Sequence, residues 1–176
     1  MFGINFSGNT DAVDMLKADH ADVDAMFKDY DAIKDTRRDK AKADLVEQIC
    51  AALSLHATIE EEIFYPAVRK DAETIALVNE AAVEHQTLKD IIGRLRSATP
   101  ADPLYDAGVK VLAEYVTHHV KEEENELFPQ VRKMDLDLDL LGTRLKARKD
   151  ELLGDEMPSL SARSSSPGNG RQASAT

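Results

Sequence analysis

The sequence predicts an all-α protein: an antiparallel up-down-up-down four-helix bundle with a short extra C-terminal helix. Three observations carry this. Apolar residues recur at spacings of three and four along most of the chain, and the 8 Gly and 6 Pro are badly placed to punctuate strands. The stretch "HATIEEEIFYPAVRK" (56–70) returns sixty-three residues later as "HVKEEENELFPQVRK" (119–133), with seven of fifteen positions identical. Finally, each of four helical segments carries a histidine within its apolar stripe.

The first helix, about 11–35, aligns Val13, Leu16, His20, Val23 and Phe27 on one face. The second, about 37–70, aligns Ile49, Leu53, His56, Glu60 and Phe64; the third, about 72–97, aligns Val78, Ala81, His85, Leu88 and Ile92. The fourth, about 100–134, aligns Leu112, Val116, His119, Glu123 and Leu127. Thr36 before Asp39, and Thr99 before Pro100 and Asp102, read as capping threonines for the second and fourth helices. Both pairs keep the sixty-three-residue offset, and His20 and His85 lie sixty-five apart. The chain therefore reads as two related helical hairpins packed face to face.

Four regions result: a lead-in at 1–10, the bundle at 11–135, an appended amphipathic helix at 136–153 and a flexible tail at 154–176. "LDLDLLGTRLKARKDELL" is basic on one side and would lie on the bundle or stand free. The remainder is rich in Ser, Gly and Pro and too poor in apolar residues to fold by itself.

Composition narrows the function classes. A formal charge of −11 and a pI near 4.9 oppose binding to nucleic acid or an acidic membrane surface. No apolar run approaches the roughly 18 residues of a membrane span, and the first residues lack the basic-then-apolar order of a signal peptide. A single cysteine, Cys50, excludes an internal disulfide and fits a reducing cytoplasm. These features imply a cytoplasmic protein with no nucleic-acid and no membrane partner.

The inward histidines carry the chemistry. One imidazole in a core is ordinarily a hydrogen-bonded packing residue. Four together, two of them a helical turn before an inward glutamate, need a counter-charge that no lysine or arginine on these faces supplies. Four imidazoles and two carboxylates are too many for one tetrahedral zinc. They suit two octahedral ions bridged by Glu60 and Glu123, with an oxo or hydroxo bridge and about one open position on each ion. Mixed nitrogen and carboxylate donors favour iron over manganese or zinc.

The order His20, His56-x3-Glu60, His85, His119-x3-Glu123, with Tyr65-Pro66 and Phe128-Pro129 after each pair, resembles the hemerythrin-like HHE cation-binding domain family. The resemblance covers about residues 11–135, and "LGTRLKARKDEL" is similar to the C-terminal extension of bacterial members. It implies a bundle around a non-haem di-iron centre that binds O2, NO or peroxide, with metal ligands His20, His56, Glu60, His85, His119 and Glu123. Oxygen-carrying hemerythrins have a fifth histidine where this chain has Lys89, four residues after His85, so the site is a His4Glu2 variant. The expected role is a gas, redox or iron sensor or binding protein. A sensor would signal to a protein partner through the C-terminal extension, 136–176. The rival reading is a di-iron redox enzyme that breaks down peroxide or reduces NO, and a structural metal-binding bundle stands third.

Lesser signals remain. His118 and Glu122 offer a competing i,i+4 pair, but the Pro129 register and the apolar stripe choose His119 and Glu123, leaving His118 to solvent or to a place behind the ligands. Glu61, Glu62, Glu122, Glu124 and Glu126 read as a solvated acidic face; Glu84 reads as exposed or as an acceptor for an imidazole. Tyr115 reads as a packed aromatic within reach of the pocket, and Cys50 as a small core residue rather than a redox sensor. Pro66 and Pro129 either bend the bundle ends or terminate the regular helix.

Overall fold

A computed structural model describes residues 11–156, with side chains through Gly154. The expected lead-in at 1–10 and nearly all of the expected tail at 154–176 lie outside the described residues. What is described is helical, without strands: α1 (Ala12–Ile33), α2 (Asp39–Ile59), α3 (Tyr65–Val68), α4 (Ala72–Ser97), α5 (Tyr105–Glu122), α6 (Phe128–Val131) and α7 (Leu138–Glu156). Single π-helical turns, Glu60–Phe64 and Glu123–Leu127, join α2 to α3 and α5 to α6, so the bundle consists of four rods with α7 added.

The two π turns answer the question raised by the prolines. Tyr65 and Phe128 donate their amides five residues back, to the Glu60 and Glu123 carbonyls. The next residue in each case, Pro66 or Pro129, has no amide to give and would crowd the carbonyl four residues earlier. A widened turn relieves that clash and seats the proline in the first turn of a short new helix, where no donor is needed. The rods continue through the prolines.

Contacts across the bundle fix helix directions. Arg132 pairs with Asp11 and Asp14, while Tyr30 near the far end of α1 donates to Asp106, so α1 opposes the α5–α6 rod. Glu47 meets Arg96 and Glu61 meets Lys89, so α2 opposes α4. The ion pairs among these are largely exposed and contribute little energy. The core does most of the holding. One apolar cluster around Leu16, Phe64, Phe128 and Val131 fills the end nearest α7, and another around Val23, Ile49, Leu112 and Val116 fills the opposite end. Between them lies the only layer of buried histidines among the described residues.

The helix starts differ from the sequence expectation. Thr36 closes α1 instead of opening α2, its amide and hydroxyl both donating to the Ile33 carbonyl, and α2 begins at Asp39 with Arg38 at the cap position and no side-chain cap bond. The fourth rod starts at Tyr105, five residues later than expected, and Thr99 does not cap it. Pro100 and Pro103 disfavour the helical conformation at Thr99 and Asp102, and the Asp102 carboxylate takes the Leu104 amide to form a turn. The real caps open each hairpin: Asp11 on α1, and Asp71 on α4 in a reciprocal box with Thr74.

Of the two placements open to the appended helix, α7 lies on the bundle. Leu141 and Leu145 are buried in the Leu16/Phe64 cluster, and the basic side faces the acidic first hairpin through Arg148–Glu62 and Lys149–Asp19.

Candidate metal centre

All six residues singled out in the sequence meet in the buried layer between the two apolar clusters. α1 supplies His20, α2 His56, α4 His85 and α5 His119, while Glu60 and Glu123 are the first residues of the two π turns. The imidazoles form two pairs, one per hairpin: His20 Nε2 lies 3.1 Å from His56 Nε2, and His85 Nε2 lies 3.1 Å from His119 Nε2. Each glutamate reaches one histidine of each pair. Glu60 Oε2 lies 3.1 Å from His56 Nε2 and 3.4 Å from His85 Nε2. Glu123 Oε2 lies 3.2 Å from His20 Nε2 and 3.5 Å from His119 Nε2.

A layer of carboxylates stands behind the imidazoles, of which the sequence reading offered only Glu84 as an acceptor, with exposure as the alternative. His20 Nδ1 faces Glu124 at 2.9 Å, His85 Nδ1 faces Glu61 at 3.0 Å, and His119 Nδ1 faces Glu84 at 2.7 Å. His56 Nδ1 faces Asp19 at a longer 3.5 Å. Of the acidic face expected to be solvated, Glu61 and Glu124 thus turn inward. A neutral imidazole that gives its Nδ1 proton to a carboxylate presents a bare lone pair at Nε2. With Nδ1 as the donor of each ring, four such lone pairs would converge on the two carboxylates.

That arrangement lacks positive charge. Glu60 Oε1 and Oε2 and Glu123 Oε2 are fully buried and accept no hydrogen bond. Burial first, and then the Glu123 charge, raises the Glu60 carboxyl well above the ordinary range. Burial acts the same way on Glu123, but His119, His20 and His56 outweigh it and hold that carboxyl below the ordinary range. Burial and the His119 charge push His85 down to about 4. His56 is also lowered by burial, whereas Glu123 and Glu84 overcome burial at His119 and raise it. Unpartnered oxygens opposite inward lone pairs are what a cation between them would satisfy. Donor atoms bonded to one ion at about 2.1 Å stand roughly 3 to 3.5 Å apart, which matches the spacings observed. The donor set fits metal. Two groups in this buried layer qualify, His20–His56–Glu60–Glu123 and Glu60–His85–His119, and Glu60 belongs to both.

Tyr65, which follows the first π turn, is a residue that sequence reasoning missed. Its buried hydroxyl donates to Glu123 Oε1 at 2.9 Å and lies 3.3 Å from His85 Nε2. Burial, then the Glu60 and Glu123 charges, raise its pKa well above the usual phenol value. The only hint in the sequence was its place one residue before Pro66, where the second copy has Phe128. Lys89 bonds both oxygens of Glu61 at 2.7 Å and so neutralises the carboxylate behind His85. His118 is exposed beside Glu84 and Glu122, Tyr115 packs in the Val23/Leu112 cluster, and Cys50 is a buried thiol that burial pushes up to about 11. On the side away from the glutamates, Val23, Leu53, Leu88 and Val116 join the four imidazoles around a cavity of about 20 Å³. Room for about one water-sized molecule remains there.

Comparison with known proteins places these features. The Hemerythrin HHE cation binding domain model matches residues 11–131. A DNA nickase of Nostoc sp. is 29% identical over 122 residues, 68% of this chain, which spans only 33% of that relative. An uncharacterized protein of Mycobacterium tuberculosis is 25% identical over 119 residues, 66% of this chain and 72% of that protein. The crystal structure of a hemerythrin HHE cation binding domain-containing protein from Mycobacterium kansasii shares the fold. Its TM-score is 0.71 over 87% of this chain and 93% of its own, at 22% identity.

Proposed function

Because the chain belongs to the hemerythrin HHE cation-binding domain family, we propose that its core holds two iron ions and binds O2, NO or peroxide as a sensor or binding protein. One observation carries the proposal: each buried glutamate reaches one histidine of each hairpin, so two carboxylates span two imidazole pairs. His20 and His56 would hold one ion, His85 and His119 the other, and Glu60 and Glu123 both. Bound iron would supply an open position for the small ligand and electrons to it.

The chain's own residues do the rest. Glu124, Asp19, Glu61 and Glu84 orient the imidazoles through Nδ1 and make Nε2 the better donor. Val23, Leu53, Leu88 and Val116 keep the cavity apolar and limit it to one small molecule. The Tyr65 hydroxyl fixes one orientation of Glu123 and keeps its own proton at Oη near the site. No nucleic-acid activity is carried over from the Nostoc relative: the match covers a third of that protein, and a chain of charge −11 repels a polyanion.

The test is direct. Protein reconstituted anaerobically with ferrous iron and desalted should retain two irons per chain and gain near-ultraviolet absorption on oxidation. Retention of one ion, or of none, overturns the assignment. Mixing the reduced protein separately with O2, NO and peroxide then decides the role. A stable spectral adduct at one ligand per chain supports binding, while many turnovers per chain would make the protein an enzyme.

A further inference from the structure

We propose that Glu84, His118 and Glu122 form a second cation site, at the surface, that takes one divalent first-row metal ion. Glu84 comes from α4; His118 and Glu122 stand one turn apart on α5, on the register the core does not use. His118 Nε2 lies 3.2 Å from Glu122 Oε1 and 3.6 Å from Glu84 Oε1, and one donor atom from each residue fits within 4.8 Å of the others. The two separations from His118 are close to the roughly 3 to 3.5 Å expected of donors sharing one ion.

Charge and symmetry point the same way. The Glu84 side chain is only 9% exposed, and His119 uses just one of its oxygens, Oε2; the other is turned toward His118. Among the described residues neither Glu84 nor Glu122 pairs with a lysine or arginine.

In the other hairpin the counterpart of Glu84 is Asp19. It too stands one residue before a core histidine and faces an imidazole through one oxygen, His56 through Oδ2. Its second oxygen, Oδ1, is held by the buried Lys149 ammonium at 2.5 Å. A fixed cation thus completes the first hairpin. Sixty-three residues before His118 and Glu122 stand Leu55 and Ile59, which could hold no ion. The second hairpin has donors where the first is apolar, and no ammonium on its outer oxygen. One imidazole and two carboxylates, with water completing the coordination, suit Mn2+, Fe2+ or Zn2+.

The test uses the full chain with its core loaded, desalted and titrated with Mn2+, free Mn2+ being followed by electron paramagnetic resonance. One further ion per chain should bind. His118→Ala and Glu122→Gln should each weaken it at least tenfold, with core metal content by elemental analysis unchanged. Both positions lie outside the core, and a thermal melt confirms folding. Absence of a further ion would overturn the proposal. An unchanged affinity in both variants would overturn it equally. A further ion on a chain whose core stays empty would support this site while removing the di-iron reading.

Discussion

In the first hairpin Asp19 precedes His20 and supports His56; in the second Glu84 precedes His85 and supports His119. Glu61 follows Glu60 and supports His85, while Glu124 follows Glu123 and supports His20. The two halves therefore match through the inner ligands and through the carboxylates behind them, and each half supports one histidine of the other. They part in the next layer out. Lys149 of α7 closes on Asp19, whereas His118 stands beside Glu84. Lys89 grips Glu61 at 2.7 Å, whereas Lys17 stands 3.8 Å from Glu124. Tyr65 offers Glu123 a hydroxyl, whereas Phe128 lies flat against His20 with centroids 5.9 Å apart and offers Glu60 none. What two ions would need from the protein is duplicated; the ammonium groups and the hydroxyl that stand around it are not.

The largest test of this asymmetry concerns the two glutamates. Excess iron at a thousand times its dissociation constant should stabilise the wild-type chain by about 4 kcal/mol, and Glu60→Leu and Glu123→Leu should both abolish that gain. Without metal their signs should differ. Glu60 carries two unpartnered buried oxygens, so Glu60→Leu should stabilise the metal-free chain by roughly 1–3 kcal/mol. Glu123→Leu leaves the Tyr65 hydroxyl without its acceptor and should cost roughly 1–3 kcal/mol. Urea melts with and without metal measure both. Equal effects in the metal-free chain would mean that the Tyr65 difference is energetically silent.

Next in size is the outer contrast between Lys149 and His118. Lys149→Met removes the buried ammonium from the partly buried Asp19 carboxylate and should cost about 2–3 kcal/mol in a urea melt. His118→Ala, largely exposed, should stay within about 0.5 kcal/mol without metal. Comparable losses would show that the two positions play equal parts.

The inner layer was legible because it is periodic: helical spacing put the histidines on apolar faces, and the repeat paired them with Glu60 and Glu123. Of the supporting carboxylates only Glu84 was read as an imidazole acceptor, and then beside the alternative of exposure, because a residue beside a buried one ordinarily points about 100° away, toward solvent. Here the helices sit close enough for a neighbouring rod to receive it. The signal that would have found them is again the repeat: Asp19 and Glu84 share the offset of His20 and His85, and Glu61 and Glu124 share that of Glu60 and Glu123. The same repeat misled at the helix starts, because two threonines at the right offset do not outweigh Pro100 and Pro103. The π turns have no periodic signature, and only the prolines mark them.

A smaller effect is expected from exchanging the aromatic residues after the π turns. Tyr65→Phe removes a donor from Glu123 and should cost the metal-free chain about 1–2 kcal/mol. Phe128→Tyr aims a hydroxyl toward the unpartnered Glu60 and should return about 1 kcal/mol. If Phe128→Tyr destabilises instead, the space beside Glu60 is filled, and the halves differ in packing as well as in hydrogen bonding.

The smallest effect lies at the hairpin starts. Thr74 bonds the ionised Asp71 carboxylate through its amide and hydroxyl, which holds that carboxyl below its ordinary value. The folded state then binds the proton less readily than the unfolded state. The cap's contribution is complete above about pH 4 and is lost as the pH falls through the folded value. Asp71→Asn keeps the acceptor but removes the titration. Its melting temperature at pH 7 should therefore stay within about 1 °C of wild type, while stability falls less steeply between about pH 4 and pH 2. An unchanged acid slope would place the titration elsewhere. Asp11 caps α1 through Oδ1 in the same way but gives Oδ2 to Arg132. Asp11→Asn should accordingly add a loss that salt diminishes, and Asp71→Asn should not.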